Sequence, residues 1–291
     1  MSNKTVIDFW GNPDWGRTID LSWPLRFDGF NPRAFHIPSP SRTPLRSGSF
    51  VGSVAEGGSC NVFSLSLHPH GQGTHTECVG HISVEPYCIN DCLRRFWFRA
   101  FFCRIEPRKM SGDRVITRGD RVITRDDRVI TGDDWVITRD DLEEIWNAWV
   151  GGLFGKYGVG PSDLGVEALI LCADDRRLRK NSDYFPDFSG TNPPYFEAAA
   201  LDFIREMGVS HLLTDLPSVD REDDGGLLSA HHAFWNYPQL PRLDASITEL
   251  IRVPSDLEEG FYHLNLMIAP LQSDASPSKP ILYPRLLDTK G

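Results

Sequence analysis

The chain predicts an α/β protein, and three observations carry that expectation. Apolar runs of strand length alternate with runs of helical period from about residue 62 onward. VEALILCA at 166–173 is a continuous apolar run after Glu167, the pattern of a strand buried on both faces. LEEIWNAWV at 142–150 and the stretch 195–207 each carry one apolar stripe at helical spacing. At 291 residues, 40% hydrophobic and 11% aromatic, the chain has material for one large domain or two small ones with a sizeable core.

In order, residues 8–30 scatter Trp10, Trp15, Trp23, Phe27 and Phe30 among Gly and Pro with no regular period. They read as an aromatic flap over a ring-bearing ligand or as ordinary core packing. Residues 31–50, rich in Pro, Ser and Arg, read as a surface loop. From Val62, alternation of Phe63, Leu65 and Leu67 with Ser64, Ser66 and His68 predicts a half-buried strand. FWFRAFFCRIE at 96–106 predicts a buried strand.

Residues 114–140, with Asp141, hold a heptapeptide repeat, RVITRGD, RVITRDD, RVITGDD, WVITRDD. Adjacent Val-Ile cannot form a coiled-coil seam, which needs apolar spacing of three and four, so short extended pieces and turns are expected. The repeat reads as a tandem duplication in a surface loop, which tolerates insertion; alternating Arg and Asp leave calcium or protein binding as the other reading. Asp140 or Asp141 is placed to cap the helix that follows, and Gly151-Gly152 to stop it. Residues 176–194 read as a long loop, 195–207 as a helix ended by Gly208, and 211–216 and 261–270 as strands.

Four of the nine histidines fall in His68-Pro-His70-Gly-Gln-Gly-Thr-His75-Thr-Glu77-Cys-Val-Gly-His81. Written as an extended chain, His75, Glu77, Val79 and His81 share one face, with same-face neighbours about 6.6 Å apart. Imidazole and carboxylate together suit a divalent transition metal such as zinc or manganese, and Gly71, Gly73 and Gly80 let the backbone bend around an ion. The plainer reading is a polar loop of solvated histidines. Cys78 is either a thiolate ligand or a small buried residue. A cupin-like site is suggested by His68-x-His70, but a cupin wants its Glu four or five residues on and Glu77 is seven beyond His70.

A net charge of -10 with no basic cluster argues against nucleic acid or an anionic membrane as partner and leaves a small molecule. The amino terminus has no apolar segment of signal-peptide length and no run nears a membrane span, so a soluble, cytoplasmic protein is expected. The six cysteines show no paired CxxC ribbon and read as reduced thiols.

Gly73-Thr-His75-x-Glu77-x-x-x-His81 resembles the signature of the cyclase-like metal hydrolases, the family of kynurenine formamidase (arylformamidase) and isatin hydrolase, whose pattern reads His-x-Gly-Thr-His-x-Asp-x-Pro-x-His. Here Glu77 replaces Asp, Val79 replaces Pro, and Gly71 stands four before His75, with His70 one place early. Further segments are similar in the same order: Asp20-Leu-Ser-Trp-Pro-Leu25, Asp215-x-x-Ser-x-Asp220 followed by Ala230-His231-His232, Ile247-Thr-Glu249-Leu250, and Ser276-Pro-Ser-Lys279-Pro280.

The resemblance implies the swivelling β/β/α fold over residues 1–291 as a single domain, assembled as a homo-oligomer. It implies a metal site of one or two ions, Zn2+ or Mn2+, held by His75 and Glu77 and completed by His70, His231 (with His232 as the alternative) and Glu249. His81 would carry the proton, Trp23 and Phe27 would meet the substrate, and the reaction would be hydrolysis of an amide, formamide or cyclic amide. The altered Asp position and displaced histidine motivate the alternative, a binding protein that kept the fold without catalysis.

Overall fold

The computed structural model describes residues 9–110, 114–115, 129–130, 134–157, 164–173 and 186–286. Seven strands form its centre: β1 (His75–Glu77), β2 (Trp97–Arg104), β3 (Ala168–Cys172), β4 (His211–Thr214), β5 (Ser246–Glu249), β6 (Gly260–Ile268) and β7 (Ala275–Leu286). They pair in the order β7-β6-β2-β3-β4-β5-β1, and β1 pairs with β7 again, which closes a barrel-like sheet. Strands β2 to β5 run parallel; β6, β7 and β1 are antiparallel to their neighbours. Ile19–Asp20 adds to the outside of β7.

Side-chain alternation splits the apolar residues into two cores. Phe98, Ala100, Phe102, Ala168, Ile170, Cys172, Leu213, Leu264 and Leu282 form one cluster inside the barrel. Phe101, Cys103, Leu169, Leu171, Leu212 and Ile247 point outward and pack with Leu142 and Val150 of α1 (Arg139–Tyr157), Leu201 and Ile204 of α2 (Ala198–Glu206), and Ala233 and Phe234 of α3 (Ser229–Trp235). β3 is buried on both faces, as its unbroken apolar sequence requires.

Several local expectations are corrected. The strand from Val62 is Phe63–Ser66, paired with Ser41–Pro44 in an exposed two-stranded ribbon rather than a half-buried sheet; residues 31–50 are thus not all loop. Gly151-Gly152 does not stop α1, whose backbone runs on to Tyr157, because two glycines lower helix propensity without removing a hydrogen bond. Its cap is Thr138: the Thr138 hydroxyl and backbone N–H donate to Asp141 Oδ2 at 2.7 and 2.9 Å, and the Asp141 N–H donates back to Thr138 Oγ1 at 3.3 Å. Tyr195–Phe196 is a short strand ahead of α2.

Most of the 114–140 repeat, like most of the 176–194 loop, lies outside the described residues. Arg114–Val115 pairs with Val129–Ile130. The fourth unit is not surface loop: Trp135–Ile137 sits between Arg108–Lys109 and Tyr195–Phe196, and Val136 and Ile137 are fully buried. No helix among the described residues is long and apolar enough to cross a membrane.

Candidate metal centre

The alternation that builds the two cores also builds the site. In β1, Thr76 points into the barrel and hydrogen-bonds Thr248 at 2.8 Å, so His75 and Glu77 point outward toward α3. The β1–β5 register sets His75 opposite Glu249, which puts a second carboxylate on that face. Cys78 points into the barrel, its thiol against the Tyr87 carbonyl, so it is the small buried residue and not a ligand in this cluster.

His81 does not arrive on a continued strand. β1 ends at Glu77, and a single 3-10 turn, Val79–His81, carries the imidazole back to Glu77. A Cβ on Gly80 would lie 2.0 Å from the Tyr87 carbonyl oxygen, so this turn needs glycine. A similar turn, Pro69–Gly71, delivers His70 from its early position. A Cβ on Gly71 would lie 2.5 Å from Ile37 Cδ1 and 3.2 Å from the Ala34 carbonyl oxygen, so the turn is crowded at this point.

His231 enters from α3. The Asp220 carboxylate accepts from the Ala230 and His231 backbone N–H groups at 2.8 and 3.1 Å and from His231 Nδ1 at 2.6 Å, fixing helix start and ring together. His232 turns away, with Nδ1 3.0 Å from the Tyr237 carbonyl. Asp274, just before β7, completes the cluster, with Oδ2 2.7 Å from His70 Nε2 and 3.5 Å from His81 Nδ1.

Glu77 stands at the centre: Oε1 is 3.0 Å from His231 Nε2, and Oε2 is 3.0 Å from His70 Nδ1 and 3.8 Å from His81 Nδ1. His75 Nε2 is 3.4 Å from Glu249 Oε2, while Val219 N–H holds Glu249 Oε1 at 2.9 Å. His75, Glu77, His231 and Glu249 are buried; His70, His81 and Asp274 form the open side. Burial opposes charge on His70, yet Asp274 and Glu77 raise its imidazole to about 10. Burial likewise opposes charge on His231 and Glu77; Asp220 and Glu77 hold the first well above the usual histidine range, and His81, His231 and His70 hold the second well below the carboxylate range.

This arrangement fits a cation. His75 Nδ1 donates to the Gly73 carbonyl at 3.0 Å, which leaves Nε2 as a lone pair facing the Glu249 carboxylate. Both His75 Nε2 and Glu77 Oε2 are buried and make no hydrogen bond among the described residues. Acceptor facing acceptor in a buried site calls for positive charge between them. Three trios offer ligand atoms within 4.8 Å of one another: His70, His75 and Glu77; Glu77, His81 and His231; His70, His81 and Asp274. Nitrogen and carboxylate oxygen donors suit zinc or manganese.

The structure thus brings together His70, His75, Glu77, His81, His231 and Glu249. It does not bring in the two aromatic residues. Trp23 lines a cleft of about 300 Å3 with Leu25, Pro69, Gly73 and Met267, and no cluster residue lines it. Phe27 lies under Arg42, whose guanidinium is 5.8 Å from its ring. Sequence reading missed Asp274, an isolated acid whose only signal is its place two residues before Ser276-Pro. It also gave Asp220 no role, although the family-like Asp-x-x-Ser-x-Asp segment contains it.

The chain thus forms a closed α/β barrel with buried histidines and carboxylates between its wall and a helix layer. The chain belongs to the cyclase family: the family described as "Putative cyclase" matches residues 19–221. No curated protein matches in sequence. Among solved structures, one described as "potential metal-dependent hydrolase with cyclase activity" is 14% identical with TM-score 0.53, over 92% of this chain and 99% of that one. Isatin hydrolase A from Labrenzia aggregata, bound to benzyl benzoate, is 13% identical with TM-score 0.56, over 92% and 93%. Isatin hydrolase A from Ralstonia solanacearum is 13% identical with TM-score 0.54, over 92% and 91%. These neighbours are described as hydrolases, and at such identity the likeness is one of fold.

Proposed function

We propose that the protein is a metal-dependent hydrolase of an amide, formamide or cyclic amide, arylformamidase-like in its chemistry. The observation that carries the reading is the pair of buried atoms, His75 Nε2 and Glu77 Oε2, without a hydrogen bond at the centre of an oriented donor set. His75, Glu77, His231, Glu249 and His70 would hold one or two ions, zinc or manganese. Such an ion supplies Lewis acidity, polarising a carbonyl and making water more acidic.

The rest falls to the chain's own residues. Asp220 and the Gly73 carbonyl orient His231 and His75, and the Trp235 ring, stacked 5.5 Å from His231, shields that side from water. His81, about a quarter exposed, stands on the open side. It takes the proton from the attacking water and gives it to the leaving nitrogen, as a positioned general acid–base.

Elemental analysis of protein purified without chelator or metal resin, paired with turnover of isatin and N-formylaniline, tests this reading. One or two equivalents of zinc or manganese are expected, reduced at least tenfold in His75→Ala. His81→Ala is expected to lose at least a hundredfold in turnover while keeping its metal; equal loss of both would make His81 a ligand. Bound metal without turnover of any such substrate would leave the non-catalytic binding reading.

A further inference from the structure

We propose that Asp274 is the positioning carboxylate for His70, fixing its tautomer so that Nδ1 rather than Nε2 is offered to the ion. The proposal rests on the metal-site reading above and adds a residue and a ring orientation to it.

Distances in the cluster fall into two groups. Two ligand atoms each about 2.1 Å from one ion lie roughly 3.0 to 3.4 Å apart, for angles between octahedral and tetrahedral. His70 Nδ1 to Glu77 Oε2 (3.0 Å), His231 Nε2 to Glu77 Oε1 (3.0 Å) and His75 Nε2 to Glu249 Oε2 (3.4 Å) fall there. His70 Nε2 to Asp274 Oδ2, at 2.7 Å, falls below that range and is a charge-assisted hydrogen bond. It matches His231 Nδ1 to Asp220 Oδ2, at 2.6 Å.

Each of these three imidazoles therefore uses one nitrogen for an orienting acceptor (Asp274, the Gly73 carbonyl or Asp220) and turns the other toward Glu77 or Glu249. A ligating histidine needs such a partner on its second nitrogen. His70 alone presents Nδ1, because its 3-10 turn approaches from the open side with Nε2 toward the turn before β7. A histidine one place out of register with the family pattern is recovered by an acid on a different segment. Asp274 also lies 3.5 Å from His81 Nδ1, but at that distance and beside a 2.7 Å partner its first contact is His70.

The test titrates metal-free protein with Zn2+ against a competing chelator, using wild type, Asp274→Ala, Asp274→Asn, His70→Ala and the double variant His70→Ala/Asp274→Ala. Asp274→Ala is expected to weaken Zn2+ binding about 10- to 100-fold. Asp274→Asn, whose amide oxygen still accepts from Nε2–H, should recover to within about fivefold of wild type. In the His70→Ala background the second change should add nothing, the mark of action through His70. Asn as weak as Ala would make Asp274 a direct ligand, and unchanged affinity in both would give it no part; either overturns the proposal while the metal reading stands. A wild type that binds no ion overturns both, and does so before any variant is compared.

Discussion

At the scale of single residues, the protein places histidines in opposite electrostatic surroundings. His211 lies inside the barrel, 3% exposed, with Nδ1 2.9 Å from Ser246 Oγ and its ring 4.0 Å from that of Phe98. Burial pushes its pKa down to about 4. A histidine that stays neutral in the folded state but titrates near 6.5 when unfolded leaves the unfolded chain holding the extra proton between those values. Its share of stability is therefore intact above pH 6.5 and lost as pH falls toward 4, by about 3 kcal/mol in all. Denaturant melts of wild type and His211→Asn across pH 4 to 7 should show the wild type losing about that much more; parallel curves would mean that the imidazole is not buried neutral.

What was legible among the site residues follows sequence distance. His75 and Glu77 could be read because two-residue spacing in a strand is a local rule. Glu249 and His231 needed the family pattern, since an isolated acid and a His-His pair carry no geometry of their own. Asp274 could not be read, because it reaches His70 only through the pairing of β7 with β1, a contact across 204 residues.

At the scale of elements, the barrel strands were legible from alternation and from the unbroken apolar run of β3. The ends of elements were not, as Thr138 and the length of α1 show. The repeat offers a sharp test of where an element stops. Met110 N–H donates to the Asp134 carbonyl at 2.9 Å, and Lys109 pairs with Trp135, so these residues already face each other as neighbouring strands. Excising 114–134 joins Asp113 directly to Trp135. It leaves Met110-Ser-Gly-Asp113, in which Ser-Gly can form a two-residue turn and Asp113 takes the place of Asp134. Asp134 is buried against Asn192, Tyr195 and Arg221, so a carboxylate there matters. The deletion variant should stay soluble, with a melting temperature within about 5 °C of wild type. Carrying the deletion on to residue 141 removes buried Val136 and Ile137 and the helix cap, and should yield no folded protein.

At the scale of the whole molecule, the proposed ligands come from the Pro69–Gly71 turn, β1, β5 and α3, so one ion would tie four separate segments to a point. Metal at a hundred times its dissociation constant adds about 2.7 kcal/mol. In a chain of 291 residues that is roughly 4 to 5 °C of melting temperature. Calorimetry with and without chelator should show the shift in wild type and none in His75→Ala; an equal shift in both would place the stabilising ion elsewhere.

The pairing that closes the barrel also sets the order in which the chain can be completed. Glu77 is opposite Ile247 on one side and Ala275 on the other, partners about 170 and 200 residues further along. During synthesis the histidine strand must wait, unpaired on both edges, until nearly all of the remaining chain has left the ribosome. Loop closure over such lengths is slow, and an exposed edge is open to wrong partners meanwhile. The segment that carries His75 and Glu77 is made early and paired late, so slow refolding should track the C-terminal strand rather than the histidines themselves.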